Sequence, residues 1–401
     1  MNSTYRDAVS LIYLDFNRTT PVAPSVLASM QAFWSTHFML PSQSHVHASA
    51  VSEAIEGARE GVSMLLGCDP FEVVFTSGGT EANNLGVLGA AMICHAGGDP
   101  QDLVASYPCN CDVPPPHALI AEIEGESVMA AARQLRLLGW IVDTVPCDER
   151  GVVSVDAFES RFEPTTRLVC LQLANPVLGT IQPIRELSDR CHNHGIRVHC
   201  DATAAVGRVP VDVNQLRVDT LSLTAHQFYG PKGIGALFVR RGLDLHPISF
   251  GESREMGLRA GSENVPGIVG LGAAASLTAR CVDEAQSTLQ ALCDRLVDGL
   301  RSTLDGRIIV LGETADRLPN TVAIEMASEA KRIQKSARQI VAASAQSASP
   351  PDEITRVLRA IGRSDKQIGR TLRFSVGWTT SHDQIDRAID RLAEACECAA
   401  P

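Results

Sequence analysis

Residues 221–240 read LSLTAHQFYGPKGIGALFVR. Two strand-like runs, Thr220–Thr224 and Gly235–Val239, flank a turn built on Gly230, Pro231 and Gly233. The same alternation continues toward the N-terminus. Further strands are expected at Glu72–Thr76, Ala118–Glu122, Trp140–Val145, Thr166–Leu173 and Arg197–Cys200. Helical patterns fall between and before them at Pro24–Phe33, Ala50–Leu66, Glu81–Ala91, Ser127–Leu138 and Ile184–His194. Strands alternating with helices predict an α/β protein with a mostly parallel sheet. From about Val265 the character changes to amphipathic helices, expected at Gly267–Arg280 and Asp283–Leu304. A strand near Thr321–Glu325 and helices near Ala330–Ala342 and Ser381–Cys396 follow.

The chain has 401 residues, 45% hydrophobic and 20% charged, with a net charge of −11. Its length suits a large core and two domains. The negative balance argues against a general binder of nucleic acid or anionic membranes. No uninterrupted apolar stretch approaches a membrane span, and the first residues lack a basic segment followed by an apolar run, so a cytoplasmic location is expected. The 12 cysteines are mostly scattered, which fits reduced thiols. The pairs Cys109/Cys111 and Cys396/Cys398 lack a second pair at zinc-site spacing, so no metal is expected. Lysine is scarce, at positions 232, 331, 335 and 366 only. The Pro/Cys-rich stretch 97–116 reads as a surface loop.

Two further stretches invite functional readings. Val73–Leu85, VVFTSGGTEANNL, runs a strand into a Gly-Gly turn and a helix. Such a turn suits an anion, and it equally suits a plain tight turn with Thr80 as a cap. Arg197–Gly207, RVHCDATAAVG, ends an apolar strand on Asp201, a position that also serves simply to cap the next turn.

Together these stretches resemble the cysteine desulfurase and selenocysteine lyase family, class V of the pyridoxal-phosphate (PLP) enzymes, across essentially the whole chain. The resemblance implies PLP fold type I, with a mostly parallel seven-stranded sheet in a large domain, 16–263. A small α+β domain would comprise 1–15 and 264–401. It implies a homodimer, and a phosphate cup of Gly79, Thr80, Thr224 and His226 with Ser262 contributed from the partner subunit. Asp201 would pair with the pyridinium nitrogen. Arg373, in LRFSVGWTT, would fork the α-carboxylate of an amino-acid substrate, where a surface salt bridge is the plainer reading.

The departures from the family pattern fall on the reaction side. Gln227 stands where the family has its Schiff-base lysine, and an amide nitrogen is neither basic nor nucleophilic. Gly125 stands at the ring-stacking histidine, Pro176 at an asparagine and Ala204 at a glutamine, both near the ring hydroxyl. Phe16-Asn17-Arg18 brings bulk and charge to the substrate side. The nucleophilic cysteine aligns with Ser347, or with Ala345 after a one-residue slip, in AASAQSASPPDEIT. A serine hydroxyl cannot carry a persulfide.

The expectation is a desulfurase-like protein impaired in sulfur transfer. It would hold PLP or a phosphorylated ligand non-covalently, or act as a scaffold for a protein partner. The alternatives are an enzyme using pyridoxamine phosphate with His226 as base, and residual desulfurase or selenocysteine lyase activity using a displaced amine such as Lys232.

Overall fold

The computed structural model describes residues 11–95, 114–346 and 349–398. Cys109, Cys111, Ser347 and most of the 97–116 stretch therefore lie outside the described residues. The centre is a seven-stranded sheet. Its strands lie side by side in the order Val73–Thr76, Gly235–Val239, Thr220–Thr224, Arg197–Asp201, Thr166–Cys170, His117–Ala121, Ile141–Val145. All pairings are parallel except the two made by Gly235–Val239, which runs against both neighbours. Val73–Thr76, at one edge, and its neighbours Gly235–Val239 and Thr220–Thr224 are buried throughout, as expected of a sheet covered by helices. Ile141–Val145, at the other edge, exposes Ile141, Asp143 and Thr144.

All seven strands were expected from sequence, and the helices differ in extent. The two amphipathic segments after Val265 form one helix, Val265–Thr303, of 39 residues. Arg280–Asp283 contains no Gly or Pro, so nothing interrupts the backbone ladder there. This helix is long and apolar enough to cross a membrane by composition, yet 56% of its most apolar stretch is buried inside the protein. It packs on the helix Val46–Leu66 through small residues. A Cβ on Gly272 would lie 2.3 Å from Ala58 Cα, and one on Gly61 would lie 2.7 Å from Ser276 Oγ. The helix expected over 330–342 stops at Ser336. Ile340–Val341 instead pairs in parallel with Ile12–Tyr13, a tertiary contact that suits β-branched residues.

A four-stranded antiparallel sheet joins Ile309–Leu311, Thr321–Glu325, Thr371–Ser375 and Ala343–Ser344. It shares one core with Leu14, the second half of the long helix and the last helix, His382–Cys398, through Leu296, Leu300, Ile324, Phe374, Ile385 and Leu392. The helix Glu353–Ala360 instead packs Val357 and Leu358 into the core of the large sheet. That placement carries its first residue, Glu353, to the mouth of the parallel strands, where ligands of open α/β sheets bind.

Candidate active site

A cavity of about 320 Å³ opens beyond the carboxyl end of the strand Arg197–Asp201. Asp201, His226, Gln227 and Arg373 line it together, four residues separated by up to 172 positions (373 − 201) in sequence. Five of the positions read from the sequence as departures converge on the same space. Arg18, Gly125, Pro176, Ala204 and Gln227 all belong to its wall. Phe16 does not. It is buried against Tyr13 and Gly377, so of the Phe-Asn-Arg run only Asn17 and Arg18 reach the cavity.

Asp201 is buried and fully engaged. Its Oδ1 accepts from the Thr203 amide at 2.9 Å and the Thr203 hydroxyl at 2.6 Å, and its Oδ2 accepts from Asn83 Nδ2 at 2.7 Å. Burial raises its pKa, while the bonds from Thr203 and Asn83 oppose the rise. Asn83 is itself fixed. Its Oδ1 accepts from the Ser222 hydroxyl and from His199 Nε2 at 3.0 Å, and His199 Nδ1 faces Thr220 Oγ1 at 2.9 Å. Complete burial drives the His199 pKa down to about 3, so that ring stays neutral. A chain of polar groups thus runs from the core to one carboxylate oxygen.

The Gly-Gly turn lies behind Thr203. A Cβ on Gly79 would come within 2.8 Å of Thr203 Cγ2 and 3.5 Å of Thr224 Cβ, so only glycine allows this approach. Gly79 and Thr224 are therefore neighbours, with Thr224 buried and Thr80 exposed at the first turn of the helix, and none of the three lines the cavity, which they approach only through Thr203. Ser262 is exposed on a turn whose Arg259 donates to the Ser262 carbonyl at 3.2 Å and stands 3.5 Å from Glu81. His226 is half-buried, with Nδ1 3.3 Å from Thr19 Oγ1. Burial, with lesser contributions from Lys232, Arg208 and Arg18, pushes its pKa down, so it is a neutral imidazole near pH 7. Lys232 is exposed and is not part of the cavity wall.

Gln227 does not point a free amide into the cavity. Its Oε1 accepts from Arg208 Nη2 at 2.7 Å, and its Nε2 donates to the Asn17 carbonyl at 2.9 Å. Arg208 is buried, and its other acceptors are the carbonyls of Ala204 and Phe16, each at 3.1 Å. Burial lowers its pKa to about 10, which still leaves it charged at neutral pH. Arg373 is also buried. Its Nη2 is ion-paired with Asp15, its Nη1 donates to the Pro176 carbonyl at 3.2 Å, and its Nε has no partner. An incoming carboxylate would share this guanidinium with Asp15 rather than take both arms of a free fork.

The alternative cysteine position, Ala345, lines a different cavity together with Arg359, Lys366 and Arg370. Several residues that sequence reasoning missed do belong to the site. Thr203 was legible, two residues beyond Asp201 and placed for a side-chain turn. Gln172 lies just past the strand Thr166–Cys170, and Ser127 in the first turn of the helix Glu126–Leu137. Glu353 carried no local signal. Its Oε1 would lie 3.7 Å from a Cβ on Gly125, and Asp201 Oδ2 would lie 3.6 Å from the same point. Glu353 thus borders the space that a side chain at 125 would claim. Burial raises its pKa, while Arg356 and Arg373 oppose the rise.

Comparison with known proteins agrees with this fold. The class V aminotransferase family matches residues 12–388. The cysteine desulfurase IscS 1 of Archaeoglobus fulgidus is 35% identical over 389 residues, covering 96% of this chain and 97% of that protein. A cysteine desulfurase of Gluconacetobacter diazotrophicus is 35% identical over 388 residues, covering 95% and 92%. Among solved structures, a NifS-like protein superposes with a TM-score of 0.85 at 28% identity, covering 97% of this chain and all of that one. SspA in complex with cysteine gives 0.76 at 29% identity, covering 91% and 98%. With a family match from residue 12 to 388 and relatives along nearly the full length, the chain belongs to the class V aminotransferase family, among the cysteine desulfurases.

Proposed function

We propose that this protein holds PLP without a covalent link and does not release sulfur from cysteine. The observation that carries this is the side chain of Gln227, bonded at both ends to Arg208 and to the Asn17 carbonyl where the family has its imine-forming lysine. Residues in the wall and just behind Thr203 suit the cofactor. The close approach at Gly79, the Thr224 hydroxyl and the exposed Thr80 suit a phosphate. Asp201, with both oxygens held as acceptors, suits a protonated pyridine nitrogen. When bound, PLP would supply an electron sink for charge developing at an amino-acid Cα. The chain's own part would be to bind and orient. Arg18 and Arg373 offer positive charge to a carboxylate, and Asp201 anchors the ring. What is lacking is a lysine amine to move the Cα proton, and positioned acid–base groups of that kind contribute about 10²–10⁴ in rate.

A second reading rests on His226, a neutral imidazole in the cavity wall. With pyridoxamine phosphate, which needs no lysine, Nε2 or Nδ1 of His226 would accept the proton. In either case we propose a homodimer, with Ser262 of one protomer reaching the phosphate of the other, and a scaffold role toward a protein partner if no ligand is held.

The discriminating experiment is the absorbance spectrum and intact mass of the protein as purified and after addition of PLP, before and after borohydride. Non-covalent PLP gives a pyridoxal chromophore that is lost on gel filtration in denaturant and leaves no mass increase after reduction. A pyridoxamine-like spectrum favours the second reading. A reduced covalent adduct on the native chain overturns the first.

A further inference from the structure

A second cavity, of about 580 Å³, lies between the helices Ala330–Ser336 and Glu353–Ala360 and the short helix Asp365–Ile368. Its volume is that of an ordinary small-molecule site. The wall is apolar at Ala330, Ala345, Pro351 and Ile368 and carries more basic than acidic side chains. Arg359, Lys366 and Arg370 line it, as does Lys331, so it holds two of the four lysines in the chain. Two carboxylates also border it, and both are already ion-paired, Asp365 with Arg359 at 3.0 Å and Glu329 with Arg332 at 3.3 Å. Among the described residues, the side chains of Lys366 and Arg370 make no hydrogen bond or ion pair. Arg370 is half-buried, which makes its lack of a partner the more telling. A partly desolvated guanidinium normally finds an acceptor within the protein. The excess of positive charge is local, in a chain whose net charge is −11.

We propose that this cavity binds a small polyanion of the phosphate-ester class, with the Arg370 guanidinium and the Lys366 ammonium as its principal contacts. Arg supplies two parallel donors to adjacent oxyanion oxygens, and Lys acts as a point charge beside them. The Thr355 hydroxyl, on the same wall, is a further donor. The apolar surface at Ile368 and Ala345 suits the organic part of such a ligand. The helix that carries Thr355 and Arg359 here carries Glu353 into the Asp201 cavity, so one rigid element borders both sites.

The test is calorimetric titration of the full-length protein with inorganic pyrophosphate. Lys366→Glu, on an exposed side chain, and Arg370→Met, which keeps the aliphatic stem, should each weaken binding about tenfold or more, as expected for loss of a charge-assisted contact. Lys335→Glu, outside the cavity, and Arg18→Glu, in the Asp201 cavity, should leave the affinity within about twofold of the native value, since neither makes a contact at this site. Absence of pyrophosphate binding by the native protein overturns the proposal. So does an equal loss in Lys335→Glu, which would mean general charge attraction, or a loss confined to Arg18→Glu, which would place the anion in the other cavity.

Discussion

Gln227 and Arg208 form a closed pair, with the amide oxygen accepting from the guanidinium at 2.7 Å while the amide nitrogen is held by the Asn17 carbonyl at 2.9 Å. Arg208 is buried, and all three of its hydrogen-bond acceptors are neutral carbonyl oxygens. The amide at 227 is therefore part of how a buried charge is tolerated. Gln227→Leu removes that acceptor and should destabilise the fold by about 1–3 kcal/mol in urea denaturation. Gln227→Glu keeps an acceptor for the same guanidinium but loses the donor to the Asn17 carbonyl, so its midpoint at neutral pH should lie between those of the Leu variant and the native protein. Equal stability of the Leu variant and the native protein would mean that the pair contributes nothing.

Gln227→Lys restores the imine-forming amine and places it beside Arg208, with Arg373 nearby in the same wall. Like charges in a partly buried site destabilise, so the melting temperature of the variant should fall. Its amine should nevertheless react with added PLP, giving a mass increase after borohydride that the native chain lacks. No sulfide should be released from cysteine, because no cysteine lies between 293 and 396 to accept the sulfur. Absence of the adduct would mean that the phosphate cup does not bring PLP to position 227.

Glu124 is a buried carboxyl whose Oε1 accepts from the Gln172 amide while its Oε2 has no partner. Burial, reinforced by Asp201, pushes its pKa well above the ordinary 4.5. The folded protein thus keeps a proton that the unfolded chain releases. Its contribution to stability is complete below the ordinary value and is lost as pH rises toward the raised one, by up to about 1.4 kcal/mol per pH unit. Glu124→Gln removes that dependence. Between about pH 5 and 7 the stability of the variant should rise relative to the native protein, as read from urea midpoints. Parallel curves would mean that Glu124 titrates alike in both states.

The long helix can sit on Val46–Leu66 only because Gly272 meets Ala58 with no side chain between, a Cβ there falling 2.3 Å from Ala58 Cα. Gly272→Val should force the helices apart and lower stability by about 3 kcal/mol, near the upper end of overpacking effects. Gly125→Ala is the contrasting case. Its added Cβ meets nothing closer than 3.6 Å, so thermal unfolding should shift by no more than about 0.5 kcal/mol equivalent.

The seven sheet strands were legible because each is a short run rich in apolar and β-branched residues, set between helical patterns and turn residues, and tertiary structure had no reason to override them. The helix over 330–342 failed for the opposite reason. Ile340–Val341 is claimed by pairing with Ile12–Tyr13, a partner more than 300 residues away. At the site, Asp201, His226, Gln227 and Arg373 could be named from their motifs, and they share one cavity. Arg208 and Glu353 could not. Nothing local distinguishes a buried arginine that anchors Gln227, or a glutamate that borders the space left at Gly125. The full set of contacts of Arg373 was equally hidden, since its pairing with Asp15 depends on the strand register of Thr371–Ser375 against the N-terminal segment.

The most direct test is the release of alanine from L-cysteine by the native protein saturated with PLP, in the presence of a thiol reductant. Alanine should form no faster than with free PLP alone, because the side chain at 227 is an amide bound to Arg208 and Asn17. Multiple turnovers of alanine per chain, abolished by Asp201→Ala, would contradict the proposed loss of desulfurase chemistry.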